Sequence, residues 1–132
     1  MQRDLRVLAL GLAVAVTACA HHAATTGSDS EAKPGVGSVR VHVVNHYQIQ
    51  MEILVTGSGT AHRLGLVAPG IERDFELPSV VVVGGAVTFR AQPSGFGPLY
   101  ESEEVRIRAG DIVDLQIATN LLGSRATVRM QR

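Results

Sequence analysis

Tryptophan is absent from this sequence and cysteine occurs once, so neither a disulfide framework nor a multi-cysteine metal cluster can form within one chain. An excess charge of one sign is also missing. Twelve Lys and Arg stand against twelve Asp and Glu, which removes the basic field that phosphate backbones require and excludes nucleic acid as a partner. Aromatic side chains make up only 4% of the chain, so any core is built mainly from aliphatic groups. The longest small-apolar run, Val7 to Ala18, is relieved only by Thr17. It falls short of the roughly 20 residues that a membrane-spanning helix needs. What remains is a chain of 132 residues, 45% apolar, with 14 glycines. That is one modest domain with many turns, too apolar to be disordered.

Arg3 and Arg6 precede the apolar run, the layout of a secretory signal. Val16-Thr17-Ala18-Cys19 at its end resembles the bacterial lipobox. The resemblance implies cleavage before Cys19, diacylation of its sulfur, a palmitate-type acyl anchor and a tethered mature protein of the cell envelope. Ala20 after the cysteine resembles the pattern sorted to the outer membrane where a cell has two membranes. Residues 1–18 are thus expected to be a signal peptide. Residues 19–37 are expected to be the lipidated cysteine and a flexible polar linker, whose roughly 18 residues reach about 20–25 Å. His21 and His22 in that linker are a weak metal pair at best.

From Ser38 onward apolar residues recur at every second position, the period of half-buried strands. Val39, Val41 and Val43 alternate with polar neighbours, as do Ile49, Met51, Ile53 and Val55. The same holds for Leu64 and Leu66, for Ile71, Phe75 and Leu77, and for Val87, Phe89 and Ala91. Val105 and Ile107, then Val113, Leu115 and Ile117, then Ala126, Val128 and Met130 complete the set. Arg73 breaks an otherwise apolar face and is expected at a strand end or a bulge. Val80 to Val83 interrupts the alternation as a doubly covered strand or an apolar loop at the tethered end; burial is expected, because four exposed valines invite aggregation. Turn-forming residues separate the segments, and no helix is predicted. The expectation is an all-β domain over residues 38–132, an antiparallel β-sandwich of seven to eight strands, immunoglobulin-like or transthyretin-like.

The layout of lipobox, polar linker and one small β domain resembles the short lipoproteins of high-GC bacteria, with Arg63-Leu64-Gly65-Leu66-Val67-Ala68-Pro69-Gly70 fitting that impression. The resemblance implies no particular activity. A comparison in layout with the transthyretin-like lipoproteins of secretion systems supplies an alternative, a structural accessory subunit of an envelope machine.

Chemistry-bearing constellations are sparse. No Gly-x-Ser-x-Gly elbow is present, and Gly57-Ser58-Gly59 reads as a hairpin turn. His42 and His46 lie four residues apart, about 13 Å on a strand, too far to share a metal without a bend. Glu101, Glu103 and Glu104 cluster before a strand and read as an edge-protecting charged face. A hydrolase using Glu101, Glu103 or Asp111 with a histidine is the least favoured reading. No cofactor and no metal are expected.

If each strand reverses the last, the loops around His46-Tyr47, Pro69-Gly70, Pro93 to Glu101 and Asn120 to Ser124 emerge at one end, opposite the N-terminus. His46, Tyr47, Phe96 and Tyr100 are therefore the candidate ligand-binding residues. Their competing role is to plug the core. The expected function is non-enzymatic binding of another envelope protein or a cell-wall component by a membrane-tethered domain.

Overall fold

The computed structural model describes residues 37–130. The expected signal peptide, Cys19 and the expected linker to residue 36, together with residues 131–132, lie outside the described residues. The alternating segments form β1 (Arg40–Asn45), β2 (Met51–Gly57), β3 (Thr60–Val67), β4 (Glu72–Glu76), β5 (Ala86–Pro93), β6 (Tyr100–Glu101), β7 (Val105–Arg106), β8 (Ile112–Ile117) and β9 (Arg125–Arg129). Two helical turns interrupt them, α1 (Ser79–Val82) and a 3₁₀ turn at Leu121–Gly123. The fold is all-β, in two sheets. One runs β4-β1-β8-β9; the other runs β3-β2-β5-β6, with β7 also paired to β5.

Consecutive strands reverse direction except β6 and β7, which both run antiparallel to β5, and the sandwich is not wholly antiparallel. β1 and β8 pair in parallel from Arg40 opposite Ile112 to Asn45 opposite Ile117. Both strands run away from the point where the chain enters at Gly37, and crossings between the sheets bring them side by side. We call that end proximal and the other distal. The ends of β1, β3, β5 and β8 and the starts of β2, β4 and β9 meet at the distal end.

A single cluster of buried side chains joins the inner faces of both sheets. Val39, Val41, Val43, Val113, Leu115 and Ile117 come from one side, and Met51, Ile53, Val55, Val87, Phe89 and Ala91 from the other. Each fully buried aliphatic or aromatic side chain contributes about 1.5–3 kcal/mol.

Departures from the alternation have local causes. The β2–β3 register shifts between Ile53 and Leu54, so Leu64 is an extra residue on β3. The shift changes parity, and Val67 rather than Leu66 is buried beyond it. The bulge is therefore in β3. Arg73 is neither bulged nor at a strand end: it pairs with Val43 inside β4, an exposed edge strand. Its guanidinium lies over the Phe75 ring at 5.8 Å and donates to the Leu66 carbonyl at 3.0 Å, linking the edges of the two sheets. Val80 to Val83 forms α1 and its cap instead of a covered strand, with only Val81 fully buried. A helical turn places one side chain of four on the core and turns the others outward. Ile49, Ile71 and Met130 sit just beyond strand ends and are exposed.

Candidate functional site

The distal end is organised by Asn45, a buried polar side chain at the last position of β1. Its amide nitrogen donates to the carbonyls of Ile49 (3.0 Å) and Val67 (2.9 Å), and its Oδ1 accepts from the Tyr47 backbone N–H at 2.9 Å. The Asn45 backbone N–H donates to the Ile71 carbonyl at 3.0 Å, and its carbonyl accepts from Gly70 at 2.7 Å. His46 N–H donates to Ile117, and Ser94 N–H to Gln50. Loops from both sheets are thus bonded into one platform. The sequence carries a single hint of this, a turn-forming Asn directly after the Val39-Val41-Val43 alternation.

The four loops at this end, residues 46–50, 68–71, 94–99 and 118–124, contain no Asp, Glu, Lys or Arg. They carry five exposed large apolar side chains: Ile49, Ile71, Phe96, Leu99 and Leu122. Among the described residues, the other exposed large apolar side chains are Val80, Val83 and Met130, at the proximal end. None lies on an outer sheet face.

The four residues singled out from the sequence divide. His46 is exposed on the β1–β2 loop, and Phe96 is fully exposed on the β5–β6 loop. Tyr47, which a binding surface would leave exposed and a plug would bury, is half-buried and packs against the core. Its ring follows a backbone held back by Asn45. Tyr100 also packs on the core from β6, paired with Ala91, and so stands apart from the loop cluster. Phe96 is therefore surface, whereas the two tyrosines act as plugs.

Tyr100 lines a cleft of about 460 Å³ between the β6–β7 edge and β9, together with Glu103, Val105, Arg125 and Val128. Burial, and then the charge of Glu103, push its phenol above the ordinary tyrosine range, while hydrogen bonding to the Ala126 backbone opposes them. β6 and β7 are separated by Ser102. Its hydroxyl accepts from Phe89 N–H at 2.9 Å and donates to the Glu103 carbonyl at 2.7 Å. A side chain thus replaces a rung of the sheet ladder at this bulge.

The remaining polar groups form outward pairs. Glu101 holds Arg90 at 2.7 Å on an outer face. His42 Nδ1 lies 2.8 Å from Asp74 Oδ1 on the face of one sheet, whereas His62 belongs to the edge strand of the other. The Asp111 carboxylate accepts from the Arg108 N–H at 2.8 Å and closes a turn. Among the described residues no three His, Cys, Asp or Glu side chains are grouped to hold a metal ion. No helix among them is long and apolar enough to cross a membrane.

No protein-family model matches the sequence, and no curated protein matches it. Among solved structures, the NMR structure of a protein from Eubacterium rectale is similar, with a TM-score of 0.42 and 10% identity over 76% of this chain and 97% of that one.

Proposed function

We propose that this chain is a lipid-anchored cell-envelope protein, sorted to the outer membrane where one exists, that uses its distal end to hold another envelope protein without catalysis. The domain serves as a sandwich of the immunoglobulin-like or transthyretin-like kind, a rigid carrier for loops. One observation carries the reading. Four loops free of Asp, Glu, Lys and Arg converge on one end and expose five large apolar side chains. Depletion of charge around apolar and aromatic groups is the composition of a protein interface centre. Asn120, Ser94, Gln48 and Thr119 add adaptable hydrogen bonding in the same loops. The anchor half of the reading rests on Val16-Thr17-Ala18-Cys19.

Both halves are tested in cells. Labelled palmitate enters the wild-type chain and not Cys19→Ser, which accumulates as unprocessed precursor; equal labelling of the two removes the anchor. A photo-crosslinker at Phe96 or Leu122 yields one discrete adduct, and one at exposed Glu103 on the lateral edge yields none. Adducts of equal yield from all three positions argue against a distal interface.

A further inference from the structure

The proximal end has its own exposed chemistry. α1 and its cap carry Val80 and Val83, 56% and 87% exposed and three residues apart, so both project from one side of the helical turn. Val81 and Val82 anchor that turn against the core. A groove of about 500 Å³ separates α1 from the segment where the chain enters, lined by Gly37, Ser38, Glu76, Leu77, Val82 and Val83. Across this end, the Ile107–Asp111 turn is bonded to the same segment through Gly110 N–H and the Ser38 carbonyl. Ile107 N–H donates to Gly85 just beyond α1. Arg106, on the last rung of β7, and Arg108, in that turn, are exposed and form no ion pair among the described residues. Among the described residues the acidic groups here are Glu76, exposed, and Asp111, whose carboxylate is occupied by Arg108 N–H.

We infer that the proximal end docks on an anionic bilayer surface, with Val80 and Val83 seated among the headgroups and Arg106 and Arg108 on lipid phosphate. The inference rests on the anchoring reading for its tether. Thirty-six residues precede Gly37, and this end is where they join the domain. An acyl anchor on Cys19 with a linker of typical reach about 20–25 Å would keep the proximal end within a few tens of Å of the headgroups. At such tethered concentrations, of millimolar order, two valines and two guanidinium groups suffice without high intrinsic affinity. Docking sets the strands upright and turns the distal loops away from the membrane. The distal loops carry no Lys or Arg for lipid phosphate, only His46, whereas the proximal end presents two guanidinium groups, so the proximal end is the docking face.

The chain contains no tryptophan, so Val83→Trp and Phe96→Trp each create a unique fluorophore at opposite ends. Each full-length chain is placed in phosphatidylcholine vesicles with or without phosphatidylglycerol, and quenching by spin-labelled lipid is read. Val83→Trp should be quenched several-fold more than Phe96→Trp. The difference should shrink at high salt, without phosphatidylglycerol, and in the Val80→Ser, Arg106→Gln, Arg108→Gln background. Equal quenching at both positions, no quenching, or stronger quenching at residue 96 overturns the docking face. Palmitate incorporation in the same preparations reports on the tether separately. Palmitate present with residue 83 unquenched removes docking alone, whereas palmitate absent with residue 83 quenched removes the anchor and leaves docking standing.

Discussion

The side-chain nitrogen of Asn45 donates to the Val67 carbonyl at 2.9 Å, so the last residue of β1 in one sheet is bonded to the last residue of β3 in the other. With its bonds to Ile49 and Tyr47, this single side chain satisfies three backbone groups that water does not reach easily. Asn45→Ala leaves them unpaired, at about 1–3 kcal/mol for a buried orphan. The expected loss is roughly 2–4 kcal/mol overall, or a fall in melting temperature of about 10–20 °C for a domain of this size. A shift of only a degree or two would show that the platform holds without it.

Ser102→Ala tests the bulge between β6 and β7. The Phe89 N–H, inside the sheet, loses the oxygen it bonds at 2.9 Å. A destabilisation of about 1–3 kcal/mol is expected in denaturant unfolding. Ser102→Thr keeps the hydroxyl and should recover most of it. Equal losses in both variants would mean that volume, not the hydrogen bond, matters at this site.

A glycine in β3 sets the spacing between sheet edges. A Cβ on Gly65 would lie 2.8 Å from the Phe75 ring, so the ring packs against bare backbone. Gly65→Val should cost about 1–3 kcal/mol through overpacking, plus the strain of an L side chain at φ +157°, which no change at Phe75 relieves. Pairing it with Phe75→Leu should recover part of that cost, whereas strictly additive losses would show that the two positions do not meet.

Glu52 gives the stability a pH dependence. Hydrogen bonds from Gln92 and then Arg63 hold its carboxyl below the ordinary value of 4.5. A depressed folded value means that the contribution is present above 4.5 and fades as pH falls through the lowered value. The stability advantage of wild type over Glu52→Gln should therefore shrink as the pH falls below 4.5. An advantage that grows on acidification contradicts the assignment.

Phe96 and Tyr47 separate the roles of surface and plug. Phe96→Ala should change stability by no more than about 0.5 kcal/mol while abolishing the distal crosslink. Tyr47→Ala removes half-buried ring area and should cost about 1–2 kcal/mol. If Phe96→Ala melts many degrees lower, the ring is not the exposed contact described above.

Much of the architecture was legible in period-two patterning, because a buried sheet face allows only one register. Val39 to Val43, Met51 to Val55 and Val113 to Ile117 are buried as their alternation demands. Reversal of consecutive strands was enough to assign the loops to their ends. Pattern alone could not show a one-residue bulge at Leu64, since an inserted residue looks like a continued alternation until parity is checked against a partner strand. Nor could it separate a helical turn from a covered strand in Val80 to Val83, where every position is apolar. The candidate site was half visible. The absence of charge from the distal loops is written in the sequence, but it becomes a surface only when four distant segments are brought together. Asn45 and Ser102 stayed hidden because their partners are backbone atoms, which leave no trace in composition.

The parallel pairing of β1 with β8 orders events in time. Synthesis delivers β1 first, and two of its neighbours in the finished sheet, β4 and β8, come much later. Until Ile112 to Ile117 has been made, Val39, Val41 and Val43 have no complete sheet to join. β2, β3 and β5 can meanwhile pair among themselves, two of them by local hairpin closure. Folding should therefore finish where the chain began, and a newly made chain carries a valine-rich first strand that can pair with β4 on one edge but keeps its other edge open until almost its whole length is available.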